Sequence, residues 1–595
     1  LILDEKALKV SATFILAILM MTPEVAFATS TPSSIEIFVP AVTNSGGSVI
    51  KLGIYLLQNG TGNLNVNGAS SIGNDTLYSS LVAFYTSLLL SDKDPFEYDA
   101  RITFESNLAG IEGPSASLGI AEAFYILSSG KQAPPNLYST VITGAVSPGG
   151  LSVMIGGVKE KASASCSAGA QAFALPVSNY FAEGRELQNQ CAKIELLPAS
   201  GVISLYSLLM GFNLTNAYPP GGFAYPPQVS EVMGKAALDF LNKSASFDRS
   251  LINSTEAEEI MKQLSFGRNY TAASLAISLY VSAMYNDLLN NYTSLEKAKE
   301  YLSGLNYTLQ QEKRSLKEIE YSIVNGSSIS IPALEAISTA ESRLWTAEQY
   351  INYGMNSSTL NETLQYASNT AGRIEAARTW IALASLNWSG YPRVTIQQVS
   401  SSLDAFERYS EASLNYARAI SQDMGSAELD AYIAELSENY EKAVSLNASS
   451  EIFLKYALLS ELNSDISSLI FSINSQSEES ISYYYSEAST IFSIIYSNIL
   501  RNGLTTIVTP EYMEYSTYSG LINETKVNME LSALSWSIPI LFLSLQQGQN
   551  ISGSGIKAVF PLESILASLM IVWTFGGMLS TFIALASYRA TRKSS

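Results

Sequence analysis

Residues 564–588 form a run of 25 positions without a charged side chain, and Arg589, Arg592 and Lys593 follow at once. A run of that length crosses about 30 Å of hydrocarbon, and a basic stretch beside it marks the cytoplasmic side. The expectation is a transmembrane helix at 564–588 and a cytoplasmic tail at 589–595, with the bulk of the chain outside the cell. The other end agrees with this. Lys6 and Lys9 precede an apolar run at 10–21, followed by Pro23 and the small-residue pattern Ala26-Phe27-Ala28. That order predicts a secretory signal peptide at 1–28, with an uncleaved anchor as the alternative.

Composition fits an exterior location and excludes several functions. Charged residues make up 15% of the 595 positions, below the roughly 25% of an average soluble domain. Fifteen Asn-x-Ser/Thr sequons permit a glycoprotein. Lys plus Arg number 34 against 53 Asp plus Glu, a formal charge of −19, so a nucleic-acid surface is not expected. Histidine is absent, which removes Ser-His-Asp and Cys-His catalysis and His-ligated metals. Two cysteines, Cys166 and Cys191, are too few for a four-cysteine metal site, so no metal or cofactor is expected. In an oxidising exterior they either pair or remain two buried thiols. Any proton transfer then falls to a carboxylate, a lysine or a tyrosine.

The length predicts more than one domain. Residues 34–200 alternate strand-like and helix-like stretches: a hairpin over 35–57, helices at 75–90, 116–128 and 158–168, strands at 100–105 and 171–175, and a second hairpin across Pro148-Gly149-Gly150. This order predicts an α+β domain. A linker rich in Pro, Gly and Tyr is expected within 201–229, and 230–545 carries apolar residues at three- and four-residue spacing, which predicts a helical domain.

The chemistry-bearing residues cluster in the first of these domains. Gly113-Pro114-Ser115-Ala116-Ser117 sits between a strand and a helix, where a hydroxyl is presented and N–H groups at a helix start face it. Ile155-Gly156-Gly157-Val158-Lys159-Glu160-Lys161 is another glycine turn opening a helix, and a buried lysine loses its proton near neutral pH. With Thr143-Gly144, Ala168-Gly169-Ala170 and Leu175-Pro176, these motifs resemble, in order and in most spacings, the proteolytic domain of Lon-type proteases, the Ser-Lys peptidases. More narrowly, with the strand Val39-Pro40-Ala41-Val42, they resemble archaeal secreted, membrane-anchored members that lack the ATPase module. The stretch from Ser115 to Thr143 departs from the pattern by about three residues.

The resemblance covers roughly a third of the chain. It implies Ser115 as nucleophile, Lys161 as general base and Thr143 as a hydroxyl orienting the lysine, with backbone around Gly113, Pro114, Gly144, Gly156 and Gly157 for the oxyanion. It implies a membrane-anchored extracellular serine endopeptidase that uses no cofactor and acts on peptides or unfolded proteins, with assembly as a homo-oligomer open. No P-loop occurs: Gly130-Lys131 is followed by Gln132, and Gly234-Lys235 by Ala236. The alternative is a non-catalytic surface protein with an inactive protease-like head on a helical stalk. Ser117 and Lys159 are the neighbours from which the dyad must be told apart.

Overall fold

Alternation of apolar and polar side chains drives the opening hairpin. In β1 (Ser34–Thr43) Ile35, Ile37 and Val39 are buried, and in β2 (Gly46–Gln58) so are Ile50, Leu52 and Ile54. Period two puts each set on one face. The strands pair antiparallel with Ile37 opposite Leu52. Each fully buried Ile or Leu contributes about 1.5–3 kcal/mol, more than the roughly 1 kcal/mol span of strand propensity. Burial therefore sets the register.

The computed structural model describes residues 34–43, 46–108, 111–212, 226–446, 449, 451–474 and 477–551. After the hairpin come β3 (Leu64–Ala69), α1 (Asn74–Leu90), β4 (Tyr98–Leu108), α2 (Ser117–Ser129), β5 (Thr140–Ile142), β6 (Ala145–Val146), β7 (Ser152–Val153), α3 (Val158–Ser167), β8 (Ala172–Pro176), α4 (Val177–Gln190), β9 (Glu195–Ala199) and α5 (Val202–Leu209). Seven strands make one sheet in the order β3-β4-β2-β1-β5-β8-β9. Its β4-β2-β1 part is antiparallel, while β1, β5, β8 and β9 run parallel through helical crossovers. Strands and helices thus interleave, and the region is α/β rather than the expected α+β. Residues 148–150 turn between β6 and β7, which pair antiparallel.

The second part is mostly helical: α6 (Pro227–Phe247), α7 (Thr255–Ser265), α8 (Asn269–Asn291), α9 (Leu295–Asn325), β10 (Ser328–Ser330), α10 (Ile331–Asn356), α11 (Leu360–Ala384), β11 (Arg393–Thr395), α12 (Ile396–Met424), α13 (Ala427–Ser445), α14 (Ile452–Asn474), α15 (Glu478–Arg501), α16 (Val508–Ser516) and α17 (Asn523–Ile551). Local chemistry sets several starts. The Ser294, Thr395 and Ser426 side chains accept the third N–H of α9, α12 and α13, an exchange that stabilises a helix by about 1 kcal/mol.

The two parts pack on one another. The described residues up to Leu545 form one compact unit. The Glu487 carboxylate on α15 accepts the N–H groups of Ile203 (2.9 Å) and Ser204 (3.2 Å) at the start of α5, and the Tyr484 and Ser178 hydroxyls lie 2.9 Å apart. The Tyr409 hydroxyl on α12 donates to the Pro148 carbonyl at 2.6 Å. Gly150, in the turn at 148–150 beside Ile491 of α15, has φ +80°, a left-handed backbone that favours glycine. The stretch expected as a linker therefore opens with a helix, α5, because Val202, Leu205 and Leu209 are buried in the core.

Among the described residues one helix is long and apolar enough to cross a membrane, Asn523–Gln546 within α17, and 83% of its most apolar window is buried inside the fold. The expected signal peptide at 1–28, transmembrane helix at 564–588 and tail at 589–595 lie outside the described residues.

Candidate active site

Ser115 sits in a turn held from both sides. Upstream, Gly113 has φ +96°; its N–H donates to the Asp75 carboxylate at 2.5 Å, and its carbonyl accepts the Thr76 hydroxyl at 3.0 Å. Downstream, the Ser115 carbonyl accepts the Gly144 N–H (2.8 Å) and the Thr143 hydroxyl (3.2 Å). Thr143 and Gly144 directly follow β5, and α2 begins two residues after Ser115. The serine is thereby fixed between the end of an inner strand and a helix start. Its side chain is half-buried and lines a cavity. Ser117 is different: it is buried, and its hydroxyl accepts the Val146 N–H at 3.0 Å, a purely structural bond.

Lys161 enters from α3. Gly157, with φ +66°, turns the chain into that helix; a Cβ there would meet Val42 at 3.1 Å, and the left-handed backbone favours glycine independently. Lys161 is 6% exposed, and its amine donates to the Gly156 carbonyl at 3.0 Å. Among the described residues no carboxylate pairs with it. Burial pulls its pKa down to about 8, against the opposing pull of Glu160. Lys159 is half-buried and ion-paired with Glu186 at 2.8 Å, a contact that raises its pKa. The two lysines are thus separated by environment. Cys166, in α3, and Cys191, after α4, are joined by a disulfide, which ties the lysine's helix to its neighbour.

Ser115 and Lys161 line the same cavity, of about 600 Å³. Residues 39–42 of β1 form one wall, and Gly113, Pro114, Gly156 and Gly157 also border it. No hydrogen bond joins the Ser115 hydroxyl to the Lys161 amine in this conformation. Thr143 is fully buried behind the wall, with its hydroxyl on the Ser115 carbonyl rather than on the lysine. It holds the serine turn, where the resemblance had assigned it to Lys161. The oxyanion set narrows too. The Gly113 N–H is taken by Asp75, Pro114 has none, and the Gly144 N–H is taken by Ser115. Among the described residues the N–H groups of Ser115, Gly156 and Gly157 remain uncommitted.

No protein-family model matches the chain. The Lon protease of Syntrophomonas wolfei subsp. wolfei is 31% identical over 143 residues, which is 23% of this chain. A Lon-like relationship is supported for that part. The match covers 17% of the relative's own length.

Two further residues belong to the candidate site and were not singled out in the sequence. Asp75 reads there only as an acidic residue in the first turn of a helix, a common stabilising placement. Tyr416 comes from α12, about 300 residues after Ser115. With Ile420, Met424 and Ile473 it closes the cavity from the helical part, and its buried hydroxyl has no hydrogen-bond partner among the described residues. A helical periodicity around 416 shows that the face is buried, not what it faces.

Proposed function

We propose that this chain is a Lon-like serine endopeptidase, anchored in a membrane with its bulk outside the cell, that cleaves peptides or unfolded segments without ATP through Ser115 and Lys161. One observation carries the reading: the half-buried serine and a buried lysine with no carboxylate partner border one cavity. Desolvation favours the neutral amine, which is the form that accepts a proton. The Ser115 Oγ attacks the scissile carbonyl carbon while the Lys161 Nζ takes the hydroxyl proton and then gives it to the leaving amine. In the second half the same amine activates the water that releases the acyl group. The Ser115 N–H, with those of Gly156 and Gly157, is available for the oxyanion. Catalysis requires the amine to leave the Gly156 carbonyl and turn its lone pair to Ser115.

A fluorophosphonate probe tests this on the full chain. The unsubstituted protein and Ser117→Ala, if folded, should label above pH 8, and Ser115→Ala should not. Absence of labelling in the unsubstituted protein, or labelling that survives Ser115→Ala, returns the chain to the non-catalytic alternative.

A further inference from the structure

A second cavity lies wholly within the helical part, away from Ser115. It measures about 470 Å³ and is bounded by α6, α8, α10, α11 and α16, within the range of small-molecule sites. Its walls mix apolar and aromatic side chains, Phe240, Tyr270 and Trp380 among them, with polar ones, and two arginines border it, Arg343 from α10 and Arg373 from α11.

Of the two arginines, one has partners in the fold and the other has none among the described residues. Arg343 donates to the Tyr512 hydroxyl at 3.1 Å and lies 3.6 Å from the Glu461 carboxylate, whose Oε1 already accepts the Ser342 hydroxyl at 2.7 Å. Arg373 makes no hydrogen bond or ion pair among the described residues. It is half-buried on the cavity wall. A guanidinium stays charged at any working pH and offers a planar fork of donors that matches an oxyanion. In a chain of net charge −19 an unanswered arginine on a cavity wall is conspicuous. Asn369 and Thr379, also on α11, and Ser278 on α8 add polar groups to the lining.

We propose that this cavity binds a small organic oxyanion, a carboxylate or phosphate carried on an apolar or aromatic body, with Arg373 as the charge partner and the aromatic walls holding the body. The site is independent of the peptidase reading, since it shares no lining residue with the Ser115 cavity.

Calorimetric titration of the full chain carrying Ser115→Ala, which cannot turn over a ligand, supplies the test. The probes are N-acetylphenylalanine, phenyl phosphate and the neutral N-acetylphenylalaninamide. At least one of the two anions should bind saturably, with the amide about 10-fold weaker or worse, and adding Arg373→Gln should lower the anion's affinity about 10-fold or more. Because Arg373 makes no hydrogen bond or ion pair among the described residues, the unliganded melting temperature should not change with that substitution. The ligand comparison on the Arg373 chain stands whether or not the variant folds. Neither anion binding, the amide binding as well as the anion, or unchanged affinity in a folded Arg373→Gln protein would each overturn the proposal.

Discussion

The Asp75 carboxylate accepts the Gly113 N–H at 2.5 Å, two residues before the serine of the candidate site. A carboxylate on the first turn of α1 thereby fixes the turn that presents Ser115. Asp75→Ala removes a charge-assisted bond of about 1.5–3 kcal/mol and frees the turn. Fluorophosphonate labelling should slow by about 10- to 100-fold, since displacements near 1 Å cost that much, while Asp75→Asn, which keeps an acceptor, should recover part of the rate. Equal rates for all three proteins would remove Asp75 from the positioning of Ser115.

Labelling and peptide hydrolysis should rise with pH, with a midpoint near 8. Lys161 accepts a proton only when neutral; below its pKa of about 8 the neutral fraction falls tenfold per pH unit. Lys161→Arg stays charged and should be inactive at every pH, whereas Lys159→Met, which removes only the amine paired with Glu186, should keep the midpoint. A profile flat from pH 6 to 9 would exclude Lys161 as the base.

Stability should run the other way. Burial raises the carboxyl groups of Glu487 and Glu335 from 4.5 to about 7. Between those values these two groups hold more protons in the folded protein than in the unfolded one, so the stability they contribute is full below about pH 4.5 and is lost as pH rises to about 7. Melting temperature should therefore fall over that window. Glu487→Gln should flatten part of the fall, and calorimetry at pH 5 and pH 7.5 on both proteins decides it.

The Cys166–Cys191 disulfide closes a separation of 25 residues, for which chain entropy predicts roughly 3 kcal/mol. Cys166→Ser with Cys191→Ser should lower the urea midpoint accordingly. It should also slow labelling at Ser115, because the helix carrying Lys161 loses its tie to α4.

Much of the α/β region was legible in the sequence because its signals are local. The alternation in Ile35, Ile37 and Val39 and the glycines at 46 and 47 announce the hairpin, and helices at 74–90, 117–129 and 158–167 fall within a residue or so of their expected limits. Other elements stayed hidden, among them β3, β9 and the 14-residue α4. β5 is three residues, too few to show a period, and α5 was masked by the Pro- and Gly-rich stretch after it. At the candidate site the serine and lysine turns announce themselves through glycine. Their separation from Ser117 and Lys159 does not, because it depends on which side chain the fold buries. Tyr416 could not be placed at all, since its neighbours across the cavity lie three hundred positions away.

That distance along the chain has a consequence for synthesis. The sheet, the serine turn and the lysine helix leave the ribosome first, but the face of the cavity built from Tyr416, Ile420, Met424 and Ile473 does not exist until most of the helical part has been made. The order of translation acts as a timer: a partly made chain carries the serine and the lysine without the enclosure that completes their cavity.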